Sequence, residues 1–237
     1  MFHYLQIFSD SVIELLKWPL AILMVLLTYP AFEALKIYIA SSLHLSGLLA
    51  FGAGMAGYAA IFFLIMRGEH SFLSTAEHEL THLVFTVLTF HKPVDLDIGT
   101  QSAGGYVAFQ GKGNWLITIT PYFFPLFAVI LMAAFPLFEG GRRSSFSSFD
   151  IVFGFVVCYH FLSVFQELHP QQTDLHKAGP FFCLCFLPAA NLITAGLLLG
   201  FVNAQGKGMT TFIKLLYRRV VSSYDTLSEL TGTFFNF

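Results

Sequence analysis

Apolar residues in this chain fall in long blocks with few charged positions between Trp18–Pro30, Leu45–Met66, Phe72–Phe90, Trp115–Phe138, Phe149–Leu168 and Phe181–Val202. About 20 apolar residues cross a hydrocarbon core as a helix, so the blocks predict six transmembrane helices. The first block is short and borrows length from Ile13–Leu16, which continue its pattern. Gly52, Gly54 and Gly57 in the second are read as sites of close helix packing. Pro121, Pro125 and Pro136 interrupt the fourth. The segment "AFEALKIYIASSLHL" is mixed, and is expected to lie in the interface with Glu33 and Lys36 in water. Beyond Val202, Phe212, Leu215, Leu216 and Val220 recur near helical spacing beside Lys214, Arg218 and Arg219. That is the pattern of an amphipathic helix at lipid headgroups.

One stretch breaks the helical pattern. In "VDLDIGTQSAGGYVAFQGKGN" apolar and polar residues alternate from Val94 to Ile98, and Gly104-Gly105 precedes a second strand-like run, Tyr106–Phe109. This predicts a β-hairpin. Backbone of that kind is tolerated at membrane depth only where protein or water satisfies it, so the hairpin belongs outside the bilayer or in a cavity. The expected fold is therefore an all-α polytopic membrane protein, with about six transmembrane helices and a short β-hairpin between helices 3 and 4. It divides into three regions: 1–69 with the first two spans, a core at 70–202, and a tail at 203–237.

Composition agrees with a bilayer as solvent. The 237 residues are 56% hydrophobic and 11% charged, with mean hydropathy +0.70, where soluble domains are about a quarter charged. A net charge of −2 without any Lys/Arg block gives nucleic acid no footprint. Cys158, Cys183 and Cys185 all lie in apolar runs, so they are read as packing residues rather than a disulfide framework or metal ligands. The amino-terminal segment lacks a basic n-region and a small-residue cleavage site, and is expected to be retained.

The chemistry is concentrated in "STAEHELTHLVF". His78 and His82 are four residues apart, so a helix projects both imidazoles from one face. Glu79 adjoins the first, placed to act as a base on a water beside the metal. H-E-x-x-H spacing puts two zinc ligands and a general base on one turn. Ionisable groups at membrane depth each cost about 2.5 kcal/mol or more, and a shared metal compensates several of them at once. Zinc needs a third protein ligand and an open position. "FQELHPQQTDLHKAG" offers Glu167, His169, Asp174 and His176, and His160 is a further candidate; spacing does not rank them. Asp95 and Asp97 are weaker, since alternation places both on one wet face.

The order of "EHELTH", a glycine-containing hairpin and "QTDLHKAG" before another span resembles the site-2 protease class of intramembrane zinc metalloproteases, in its compact form without a PDZ domain. The resemblance covers roughly residues 70–202, and only H-E-x-x-H is strongly specific. It implies one Zn2+ per chain held by His78, His82 and Asp174, with Glu79 as the catalytic base. It also implies a substrate segment pairing with the hairpin around Gly104, Gly105, Tyr106 and Val107, aided by Asn191. "QQTDLHKAG" departs from the commoner N-P-x-x-D-G or L-D-G pattern around the aspartate. The implied substrate is a transmembrane or membrane-anchored protein, and the expected location is a bacterial cytoplasmic membrane. With six spans, Arg67, Arg142, Arg143, Lys207, Lys214, Arg218 and Arg219 share the side of the termini, which the positive-inside bias makes cytoplasmic. The hairpin and Asp174 then face outward, whereas the resemblance implies a cavity open to the cytosol. The alternative function is a non-proteolytic zinc-binding transporter, sensor or scaffold.

Overall fold

The computed structural model describes residues 2–42, 45–66, 72–99, 105–139 and 147–235, with side chains over 3–41, 48–65, 72–99, 105–138 and 147–225. Gly104, Arg67, Arg142 and Arg143 lie outside the described residues. Helix accounts for 84% of the structure, and a two-stranded antiparallel hairpin is the one sheet among the described residues. The order is α1 (Phe2–Ser42), α2 (Leu45–Ala60) running into a π-helical stretch at Ile61–Met66, α3 (Phe72–Leu88), β1 (Pro93–Asp97), β2 (Tyr106–Phe109) and α4 (Trp115–Ile119). A 3-10 turn at Thr120–Tyr122 comes next, then α5 (Leu126–Glu139), α6 (Ser148–Glu167), α7 (Thr173–Ala178) and α8 (Pro180–Phe235).

Among the described residues, four helical stretches are long and apolar enough to cross a bilayer: His3–Ser41, Leu48–Ile65, Ser148–Glu167 and Pro180–Asp225. The bent pair Trp115–Tyr122 and Leu126–Phe138, at 74°, makes a fifth by the same measure. The sequence pattern predicts six, and the difference is α3. It has 17 residues, about 25 Å of helix at 1.5 Å per residue.

Residues 31–42 continue α1 as helix, where the sequence pattern predicts a separate interfacial piece. Glu33 and Lys36 do face outward as an ion pair at 2.6 Å. On the opposite side Ala31, Ala34 and Tyr38 are fully buried and extend the inward stripe that begins at Ala21. The small residues let α8 approach closely, with Tyr38 and Phe212 in an edge-to-face contact at 6.0 Å. α8 itself is broken by non-helical backbone at Ala204 and Gln205. Its second arm turns back along the first, so that Gly208 lies against the Gly200 carbonyl and the Phe212 ring covers Gly196.

A phenylalanine cluster of Phe51, Phe135, Phe149, Phe153 and Phe201 joins α2, α5, α6 and α8. α2 and α6 cross where Gly54 meets the Ile151 carbonyl and Gly154 meets that of Phe51; a Cβ at either position would strike backbone. Gly52 and Gly57 would admit a Cβ with nothing within 4 Å, so of three glycines expected to pack, one does. Gly54→Leu is expected to force the helices apart at a cost of about 1–3 kcal/mol or more. Thermal unfolding in detergent should show a lowered midpoint for Gly54→Leu and none for Gly52→Ala.

The hairpin is in the expected place. β1 and β2 pair Asp95 with Ala108, Leu96 with Val107 and Asp97 with Tyr106, with an irregularity between Pro93 and Asp95. Gly105 seats it on α3: a Cβ there would lie 2.5 Å from Glu79 Cγ and 2.9 Å from Thr75 Cγ2.

Candidate metal centre

α3 turns its ionisable side chains inward. Glu77, His78, Glu79 and His82 are 5–8% exposed, whereas Phe72, Leu73, Val87 and Leu88 lie on the surface. Helical spacing brings the two imidazoles together edge-to-face, with ring centroids 4.7 Å apart. α6 ends at Glu167, and a turn closed by His169 N–H to the Glu167 carbonyl and Gln172 N–H to the His169 carbonyl leads into α7. That turn delivers Asp174 to the histidines. Its Oδ2 is 3.4 Å from His78 Nε2 and 3.2 Å from His82 Nε2. Among the described residues, His78, His82 and Asp174 are the one group of three or more His, Cys, Asp or Glu whose donor atoms lie within 4.8 Å of one another, and they could hold a metal ion.

The outer nitrogens fix the chemistry of the inner ones. His82 Nδ1 lies 2.8 Å from the Ile117 carbonyl, which only accepts, so Nδ1 carries a proton. His78 Nδ1 lies 2.6 Å from Glu167 Oε2 and donates likewise, while Ser74 Oγ donates to Glu167 Oε1 at 3.0 Å. With both rings neutral, each Nε2 would set a lone pair against Asp174 Oδ2, acceptor against acceptor. Two added protons would put like charges side by side in a buried site, which is unfavourable; one cation among the three donors satisfies all of them. Tetrahedral zinc with bonds of ~2.0–2.1 Å sets donors about 3.3 Å apart, close to the spacings found. An acceptor on the far ring nitrogen, such as Glu167 behind His78 and the Ile117 carbonyl behind His82, is the usual partner of a metal-ligating histidine.

Compared with known proteins, the chain matches no family model, no curated protein and no solved structure.

The other candidate ligands are engaged elsewhere. Glu167 stands behind His78 as its outer partner. His169 Nδ1 accepts the Gln171 N–H at 3.2 Å, and His176 Nε2 contacts the Pro170 carbonyl at 2.6 Å. His160 sits behind α3, its Nδ1 3.7 Å from Glu77. Asp95 accepts from the Tyr106 hydroxyl at 2.6 Å on the exposed hairpin, which raises the phenol above its ordinary pKa.

An open cleft of about 1340 Å3 reaches the three donors, and Glu79 lines it beside them. Gly105, Tyr106, Val107 and Phe109 form its β2 wall. Asn191 is placed away from this lining: its Nδ2 donates to the Tyr122 carbonyl at 2.9 Å and the Leu187 carbonyl at 3.0 Å. Sequence reasoning missed the wall given by α1 (Ile7, Asp10, Ser11, Glu14 and Lys17). Their spacing of three to four is a helical face, visible in the sequence once α1 is known to run through it.

Proposed function

We propose that this chain is an intramembrane zinc metalloprotease of the site-2 protease type, hydrolysing peptide bonds within or next to membrane-embedded segments of other proteins. The observation that carries the reading is the convergence of the His78 and His82 Nε2 atoms on Asp174 Oδ2, with an acceptor set at each ring's Nδ1. Zinc bound there would supply Lewis acidity and a water acidified toward neutral pH. Glu79, in the same cleft, takes a proton from the attacking water and passes it to the leaving amine. A non-hydrolytic scaffold or transporter has no need of that carboxylate next to the first histidine.

A peptide bond inside a helix is masked, so substrate must be extended before attack. β2 faces the cleft, and a segment adding to its edge would be held by backbone hydrogen bonds, as in strand augmentation. The lipid bilayer, expected to be a bacterial cytoplasmic membrane, presents the substrate. Protein purified in detergent is expected to hold one zinc per chain by elemental analysis. Absence of stoichiometric metal after reconstitution with zinc would sink the reading.

A further inference from the structure

We infer that Asp10, on α1, is a positioning residue for the metal centre; this rests on the proposed binding of metal by His78, His82 and Asp174. α4 has only five residues, too few to hold its own geometry, yet its Ile117 carbonyl orients His82. What holds α4 is Asn114 at its N-cap, whose Oδ1 accepts the Ile117 N–H at 3.2 Å. The same amide donates through Nδ2 to Asp10 Oδ1 at 2.7 Å. Asp10 thereby selects which way round the Asn114 amide sits, since the flipped amide would set oxygen against carboxylate.

The second oxygen of Asp10 reaches the other end of the motif helix. α3 stops where Phe90 enters the left-handed region (φ 64°), and the His91 N–H bonds back to the Thr86 carbonyl at 2.9 Å. His91 Nε2 then lies 3.2 Å from Asp10 Oδ2, with its side chain fully buried. Further bonds tie α1 to the same loop: Trp115 Nε1 donates to the Ile13 carbonyl at 2.6 Å and Gln6 Nε2 to that of Gln110 at 3.0 Å. An unbroken line of hydrogen bonds thus runs Asp10–Asn114–Ile117–His82. The amino-terminal helix belongs to the metal centre's support and is not an appendage to the core.

The test uses the full chain in detergent, loaded with zinc or with cobalt as a spectroscopic substitute. Asp10→Ala and Asn114→Asp are each expected to shift the cobalt ligand-field absorption and to speed zinc loss to a chelator by about tenfold, the lower end for outer-shell changes. Asn114→Asp keeps the cap acceptor but sets two carboxylates against each other, so it decides the matter if Asp10→Ala does not fold. The exchange variant, Asp10→Asn with Asn114→Asp, restores the bond with donor and acceptor reversed, and should return the absorption to the wild-type position. A merely structural role predicts no such recovery at the metal. Unshifted absorption in folded Asn114→Asp, or no recovery on exchange, overturns the inference alone. Wild-type protein that takes up neither metal overturns the metal reading and this inference with it.

Discussion

Glu79→Gln should keep its zinc and its fold and lose hydrolysis by roughly 10²–10⁴-fold, the usual contribution of a positioned general base. The substitution is nearly isosteric, which matters because Glu79 Cγ lies under the hairpin at Gly105. Glu79 is not one of the three converging donors, so metal content is the internal control. An amide cannot take the proton from the attacking water or return it to the leaving amine. Comparing membrane proteomes of cells producing wild-type or variant chain gives the readout, through membrane proteins that accumulate uncleaved with the variant. A cleavage pattern unchanged by Glu79→Gln, at unchanged zinc content, would end the protease assignment while leaving the metal site standing.

Asp174→Ala should cost more in metal than any neighbouring change. Among the described residues the Asp174 carboxylate is the oxygen donor that faces both Nε2 atoms, at 3.4 and 3.2 Å, and its removal leaves two nitrogens where structural and catalytic zinc sites use at least three protein ligands. Zinc affinity, measured by chelator competition, is expected to fall by at least about 100-fold, beyond the 10–100-fold typical of outer-shell partners. Glu167→Gln, which weakens the acceptor behind His78, should fall within that outer-shell range. His169→Ala and His176→Ala should leave affinity unchanged, because both rings are turned to the 169–172 loop. Retention of zinc by Asp174→Ala and its loss in His176→Ala would show that the third ligand is wrong.

His78, Glu79 and His82 were legible in the sequence because four-residue spacing on a helix is local information: no other part of the chain is needed to bring the rings together. The hairpin was legible for a similar reason, alternation and a glycine signal being short-range. Asp174 was not separable from Glu167, His169 and His176 by spacing, because the deciding event is the turn at 168–172. That turn aims α7 at the histidines and leaves Glu167 behind His78. The continuity of α1 was hidden by Pro30, which is buried inside it, and by the polar Glu33–Lys36 pair; its buried side is otherwise written in alanines and one tyrosine, a weak signal. The role of Ile117 had no side-chain signature at all, since the group that orients His82 is a main-chain carbonyl.

Gly105 places the strand that would receive substrate directly upon the carboxylate proposed to activate water, with no room for even a methyl group between them. Recognition and chemistry are therefore mechanically one part. A guest segment that seats flush along β2 leaves Glu79 where it is. One that lifts the strand by the width of a side chain removes the support over the carboxylate. Such a contact would make the proposed chemistry sensitive to how a segment lies in the cleft as well as to whether it enters, which is a form of discrimination that requires no pocket for any particular residue.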